Sequence, residues 1–416
     1  MKKFSIILCS ALAVCSLAMF SCQRDTDDEE EEKGGNQVAN VEIKASSSNQ
    51  MAKNVAIGWN LGNTLDATGA KDLTSETSWG QPMTTKAMID GIAAAGFKTI
   101  RLPVSWHNHI TDTSSYTIDT AWISRVKEVV DWSLEAGLYV ILNTHHDNAA
   151  NASEVTAGSA LYHPTKDAYS ESSKFLKAVW TQICATFNNS YNEKLIFEVL
   201  NEPRLTGTSY EWWFNPNDKI CQEGAEYLLK LEQDCLDVIR ASGGNNASRY
   251  VMIPSLSANP DAALSDYFKL PNDSTNDRLI VSVHSYRPYA FAMYDSNNPD
   301  KTTFDSADEA ALKSDFEKLY TKFVSKGIGV IIGETSATNK GNLAEREKWA
   351  KYFFGTAYAY GMPSVFWDNA VYEAKVDDGE RHGYYNRTAQ TWYFPTIIKE
   401  AMSAVGVTAG TLTQSN

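Results

Sequence analysis

Cysteine is scarce: six in 416 residues, at Cys9, Cys15, Cys22, Cys184, Cys221 and Cys235, with no CxxC pair. Neither a structural metal nor an obligatory disulfide is expected from that pattern. Basic residues are also short, 37 against 51 acidic ones, for a net charge of −14. A surface for nucleic acid or anionic lipid would carry the opposite sign, so neither partner is expected. A Gly-rich phosphate turn is missing as well. The first strand-like run leads into Gly58-Trp59-Asn60-Leu61-Gly62-Asn63, which is not G-x-G-x-x-G, and this argues against a doubly wound dinucleotide-binding sheet. What the chain has in quantity is aromatic side chains, 11 Trp, 20 Tyr and 16 Phe, beside an ordinary 43% hydrophobic and 21% charged content. That is a globular composition, suited to a neutral ligand held against aromatic faces.

The amino terminus is a segment apart. Met1-Lys2-Lys3, an apolar run from Phe4 to Phe20 and Ser21-Cys22 read as an export signal over residues 1–21 rather than a membrane anchor. The segment resembles a bacterial lipoprotein signal, in which Cys22 would become the lipidated first residue. Residues 22–50 then read as a tether, because Asp25, Asp27, Asp28 and Glu29 to Glu32 cannot pack in a core. This acidic stretch is similar to export tags of some Gram-negative surface lipoproteins, which implies an outer-membrane or cell-surface location. Residues 1–33 account for −3 of the charge, leaving −11 for the body. The folded domain is expected over residues 51–416, with Cys184, Cys221 and Cys235 as buried free thiols.

From Val55 the chain alternates short β-rich runs with longer amphipathic ones. Strands are predicted at Val55–Gly58, Thr99–Pro103, Tyr139–Asn143, Leu195–Leu200, Tyr250–Pro254, Leu279–His284, Gly329–Ile332 and Ser364–Trp367. Helical periodicity fills the gaps, weakest between the fifth and sixth strands. Gly96, Gly137, Gly327 and Gly361 follow helical stretches, where a left-handed residue is wanted. Eight alternations predict an α/β fold, a single (β/α)8 TIM barrel with enlarged C-terminal-face loops. No second folded domain and no appended carbohydrate-binding module is visible.

In such a barrel the functional side chains stand at the C-terminal ends of the strands. There the sequence places Asn60, Arg101, His145, His146, Asn201, Glu202, His284, Tyr286, Glu334 and Trp367, with Trp79 on the loop after the first strand. Paired carboxyls are what glycosidic-bond cleavage needs: one protonates the leaving oxygen, the other attacks the anomeric carbon or activates water. Arg101 and Tyr286 would keep Glu334 ionised, as a nucleophile requires, and burial would raise Glu202, as an acid requires. Asn201 can reach a sugar hydroxyl, and Trp367 offers a flat face for a pyranose. His145, His146 and His284 with Asp147 are the residues a zinc site would use; the pattern is read as sugar-binding, with no metal and no cofactor.

Gly58-Trp59-Asn60-Leu61-Gly62-Asn63-Thr64-Leu65-Asp66, Arg101-Leu102-Pro103-Val104, Asn201-Glu202-Pro203 and Gly333-Glu334 together resemble glycoside hydrolase family 5. With Thr144-His145-His146-Asp147 the chain is similar to its subfamily 4 of bacterial endo-β-1,4-glucanases and xyloglucanases, over about Asn54 to Ala404. The resemblance implies retaining double displacement, with Glu202 as acid/base and Glu334 as nucleophile. It also implies that Arg101, His145, Asn201, His284, Tyr286 and Trp367 fill the remaining active-site positions and that His146 contacts substrate. Asn386-Arg387-Thr388 stands where relatives often have Asp before Arg. The expected substrate is a β-1,4-glucan of cellulose, mixed-linkage or xyloglucan type, cut by a monomer. The alternatives are a surface glycan-binding protein on an inactive hydrolase fold and a related β-mannan hydrolase.

Overall fold

The structure is a computed structural model that describes residues 41–374 and 379–415. The signal segment, Cys22 and the acidic part of the tether lie outside the described residues. No helix among the described residues is long and apolar enough to cross a membrane.

Short runs rich in Ile, Val and Leu form eight strands: β1 (Ile57–Asn60), β2 (Thr99–Leu102), β3 (Tyr139–Asn143), β4 (Leu195–Glu198), β5 (Val251–Pro254), β6 (Leu279–His284), β7 (Gly329–Thr335) and β8 (Ser364–Phe366). Each pairs in parallel with the next, and β8 returns to β1, closing the barrel. Nearly every strand residue is buried on both faces, as a sheet wrapped by helices demands. The wrapping helices are Lys86–Ala94, Thr120–Glu135, Tyr169–Thr186, Lys219–Ala241, Ser306–Lys322, Leu343–Ala359 and Pro395–Ala404; after β5 only the five-residue Pro260–Leu264 forms. Gly96, Gly137, Gly327 and Gly361 take φ of 110°, 88°, 91° and 80°, the left-handed stops that their positions predicted. Cys184, Cys221 and Cys235 are buried free thiols.

Two boundaries differ from the expectation. The folded body begins before Met51, because a helix, α1 (Ser48–Val55), plugs the N-terminal mouth of the barrel. Its Met51, Ala52 and Val55 pack on Ile141, Ile196, Met252, Ile280, Ile331 and Val365 from inside the barrel. The Ser47 hydroxyl caps it by accepting from Gln50 N, and Ser48 Oγ accepts from Gly329 N at 3.0 Å. Ahead of it, Ser46 N donates to the Tyr250 hydroxyl at 3.0 Å. The polar composition of residues 41–50 hid this: three apolar residues per two turns are enough when they face a preformed hole. The second difference is β7, which runs on through Glu334 and Thr335, so Glu334 belongs to the strand and not to the loop beyond it.

The plug is remote from the C-terminal loops, so its packing can be tested apart from chemistry. Met51→Ala should lower unfolding free energy by about 2–5 kcal/mol in chemical denaturation. Turnover measured below the unfolding transition should be unchanged.

Candidate active site

One guanidinium organises the C-terminal end of the barrel. Arg101 on β2 is completely buried and uses its whole donor fork. Nη1 donates to Glu334 Oε1 at 2.7 Å and to Asn60 Oδ1 at 2.9 Å, Nη2 donates to Asn201 Oδ1 at 2.6 Å, and Nε donates to Glu198 Oε2 at 2.8 Å. Burial alone would favour the neutral base, but the charges of Glu198 and Glu334 hold its pKa above the ordinary arginine value. Asn60 is a brace and not a ligand contact: it is fully buried, and its amide nitrogen donates to the carbonyls of Gly333 and Phe366.

Glu202, on the loop after β4, and Glu334, on β7, converge on His284. Facing oxygens and nitrogens of these three side chains lie within 4.8 Å of one another. His284 Nδ1 is 2.8 Å from Glu202 Oε1 and 3.7 Å from Glu334 Oε2. Its Nε2 lies 3.5 Å from Arg101 Nη2, and Nδ1 donates to the Glu202 carboxylate. The Tyr286 hydroxyl donates to Glu334 Oε2 at 2.9 Å.

Proton preferences in the open cleft are the reverse of those expected from sequence. Burial is the largest influence on both carboxyls and favours their neutral forms. At Glu202 the hydrogen bond and charge of His284, helped by Arg204 and Arg101, outweigh it and hold the carboxyl below the usual range. At Glu334 burial, joined by the charge of Glu202, outweighs His284, Arg101 and the Tyr286 bond and pushes the carboxyl up. Against its own burial, His284 is pushed up by the charge of Glu334 and by its bond to Glu202. The reason is positional: the histidine sits closer to Glu202 by nearly an ångström.

An aromatic and polar wall faces this cluster. Trp367 lies parallel to His145, ring centroids 5.9 Å apart at 4°. It is seated against Gly62, where a Cβ would come within 2.8 Å of the indole; that close approach is why the first motif has glycine at this position. Trp59 Nε1 donates to Asp368 Oδ2 at 2.8 Å, and Arg387 ties Gly62 O and Asp368 O, each at 2.7 Å. Arg387 thus joins the first and last loops, whatever residue precedes it. His146 and Trp79 form the rim: both are partly exposed, their rings 5.5 Å apart. Asp66 Oδ2 is 3.7 Å from His146 Nε2, while Asp147, the carboxylate that a zinc site would use, is taken up by Trp106 N, His107 N and His107 Nδ1.

Asp66, His145 and His146 do bring ligand atoms within 4.8 Å, but their chemistry does not suit a metal. Asn143 Oδ1 accepts from Val104 N and its Nδ2 donates to Glu198, so the same amide nitrogen can only donate to His145 Nδ1, at 3.1 Å. His145 therefore keeps its proton on Nε2, which leaves that N–H as a donor. Burial, with the nearby His146 and Arg101, holds it neutral. Glu198 carries no signal in the sequence beyond its place at the polar end of an otherwise apolar strand.

Convergent carboxyls this close, braced by Arg and Tyr and faced by a flat indole, invite comparison with known sugar hydrolases. The profile "Cellulase (glycosyl hydrolase family 5)" matches residues 65–373. The chain belongs to glycosyl hydrolase family 5. It is 40% identical over 371 residues to endoglucanase A of Clostridium longisporum, covering 87% of this chain and 67% of that one. Against endoglucanase B of Ruminococcus albus the identity is 39% over 376 residues, with coverage of 90% and 85%. Among solved structures, a variant of a family 5 lichenase from Caldicellulosiruptor sp. F32, in complex with cellotetraose, superposes with a TM-score of 0.80 at 39% identity, covering 89% and 98% of the two chains. A broad-specificity endoglucanase of subfamily 4 from Ruminococcus champanellensis with bound cellotriose gives 0.77 at 37%, with coverage of 86% and 99%.

Two histidines away from the reacting carboxyls make the family 5 fold sensitive to acid. Burial lowers His109 to about 4 and His382, whose ring packs beside Tyr286, to about 3. Both stay neutral in the fold where the unfolded chain, near 6.5, already binds a proton. Their stabilisation is complete above pH 6.5 and is lost as pH falls through the folded values, at about 1.4 kcal/mol per pH unit for each group within its window. Melting temperature should fall steadily from pH 6.5 towards 4, and His382→Leu should flatten that slope; a slope equal to wild type would refute the assignment.

Proposed function

We propose that this chain is a retaining endo-β-1,4-glucanase of soluble or hydrated β-glucans, with Glu334 as nucleophile and Glu202 as general acid and then base. The observation that carries the reading is the carboxyl spacing. Oxygens of Glu202 and Glu334 within 4.8 Å leave no room for the intervening water of an inverting enzyme, whose carboxyls stand about 6.5–9.5 Å apart.

Glu334 attacks the anomeric carbon while Glu202 gives its proton to the leaving oxygen; Glu202 then takes a proton from the water that releases the glycosyl-enzyme. The acid form of Glu202 is supplied by the imidazolium form of His284, which gives its Nδ1 proton along the Nδ1–H···Oε1 hydrogen bond and is left as the neutral ring protonated on Nε2. In the open cleft that proton rests on the histidine side. A glucan that expels water disfavours the ionised Glu202 and draws the proton across. With Glu202 neutral, its charge no longer opposes the ionisation of Glu334, and Arg101 and the Tyr286 hydroxyl hold Glu334 ionised. Asn201 and the Nε2–H of His145 serve as hydroxyl contacts, Trp367 as a pyranose platform, and His146 with Trp79 as the outer part of the same track.

Relatives described as lichenase and as broad-specificity endoglucanase, with cellotriose or cellotetraose bound, favour mixed-linkage and cellulose-type chains, with xyloglucan as the branched extension of the range. An inactive glycan-binding protein has no use for the Arg101 and Tyr286 bonds to Glu334, and a mannan backbone is supported by none of these relatives. A product profile on xyloglucan, mixed-linkage glucan, carboxymethylcellulose and glucomannan ranks the substrates. We read the chain further as an exported monomer anchored by lipid at Cys22 on the outer membrane or cell surface. Cys22→Ala should move it from the membrane fraction to the soluble one; unchanged partitioning would remove the anchor.

Glu334→Gln should lower kcat on the order of 10³-fold or more while keeping oligosaccharide binding. Products released by the wild type should appear first as the β anomer in proton NMR; an initial α anomer would overturn the retaining assignment. Glu202→Ala should regain turnover with azide, giving a β-glycosyl azide, because azide attacks the glycosyl-enzyme without a base.

A further inference from the structure

Beneath the reacting carboxyls the barrel holds another that no substrate can touch. Glu198, the last residue of β4, is fully buried. Its Oε2 accepts from Arg101 Nε at 2.8 Å, lies 2.7 Å from Arg101 Nη2, and accepts from Asn143 Nδ2 at 3.0 Å. Its Oε1 accepts from the Ser282 hydroxyl at 2.6 Å. Strands β2, β3 and β6 therefore each direct a donor onto one carboxylate. A dry, acceptor-only anion persists in a core when donors surround it in this way. The constraint runs in both directions, since each donor is also held by the anion.

We propose that Glu198 is a positioning residue of this active site: it sets the Arg101 fork that reaches Glu334, and it holds the Asn143 amide that decides which nitrogen of His145 carries the proton. The proposal rests on the hydrolytic reading of Glu202 and Glu334. Arg101 is shared between two carboxylates, Glu198 below and Glu334 above, so Glu198 tempers the pull that Arg101 exerts on the nucleophile. The other groups that face Glu334 are His284 on β6, Tyr286 just beyond it, Glu202 from the loop after β4 and Glu380 from the loop after β8. Glu198 also works through Asn143. Were that amide turned over, its oxygen would meet His145 Nδ1 and force the proton onto that nitrogen, leaving no donor on Nε2.

The test separates charge from shape. In Glu198→Gln the side-chain oxygen can accept from Arg101 and Asn143 while the amide donates to Ser282 Oγ, so the hydrogen bonds survive and the charge is lost. Removing a negative charge next to this coupled cluster lowers the apparent carboxyl titration whichever member carries it. The acid limb of kcat/KM against pH on an aryl β-cellobioside should move down by about half a unit or more, with kcat reduced about tenfold and KM little changed. Glu198→Asp, which keeps the charge on a shorter arm, should return the limb to its wild-type place although kcat stays low. Ser282→Ala removes a donor and strengthens the hold of Glu198 on Arg101, so its limb should shift upward by a few tenths of a unit. If Glu198→Gln folds and its limb superimposes on wild type, the proposal is overturned. If that variant does not fold, an unmoved limb in Ser282→Ala overturns it instead. Separately, loss of all turnover in Glu334→Gln with these shifts absent would leave the hydrolytic reading intact and remove Glu198 from it.

Discussion

The active end of this barrel depends on one buried cation. Arg101 has no exposure to water and makes hydrogen bonds to two carboxylates and two amide oxygens. Two unit charges about 4 Å apart interact by about 4 kcal/mol at an effective dielectric near 20. One arginine can offset one carboxylate and must share itself between two. The remaining negative charge around Glu334 is what draws a proton towards His284 and Glu202, and a proton retained in that group is the one that acid catalysis spends. Charge balance in the barrel floor and chemistry at its mouth are therefore the same problem.

The rest of the site is arranged to keep that charge cluster dry and in register. Gly62 allows Trp367 to lie flat, Asp368 gathers Trp59 and the backbone of Tyr384 and Tyr385, and Arg387 laces the first loop to the last. These contacts join β1 to β8, the seam at which the barrel closes. Asn60 sits on the same seam and supports Arg101 from the side. Residues that the sequence presents as a sugar-binding motif divide between a partly exposed rim, His146 and Trp79, and a framework that fixes the floor.

The eight-fold alternation was legible because it is local. Strands and helices announce themselves through hydrophobic period and through glycines at helix ends, and Tyr139–Asn143, Leu279–His284 and Lys219–Ala241 fall where the periodicity put them. The plug Ser48–Val55 was missed, since its apolar residues acquire meaning only opposite the open mouth of the barrel. Glu334 was recognised as a functional residue, yet its place within β7 was not, because Gly333 and a carboxylate read as the end of a strand. Among site residues, Glu202, Arg101, Tyr286 and Trp367 could be found from their positions after apolar runs. Glu198 could not, for it looks like one charged residue at the edge of a buried strand.

What the amino-acid order determined by itself was the architecture and the set of polar groups delivered to one face, because period and turn chemistry act between near neighbours in the chain. What only the tertiary structure decided was the allocation of protons and partners: that Arg101 meets Glu334 from 233 positions away, that His284 leans on Glu202 rather than Glu334, and that Asn143 fixes the tautomer of His145. Electrostatic and hydrogen-bond energies fall off within a few ångströms, and distances of that kind between remote residues have no signature until the barrel has closed.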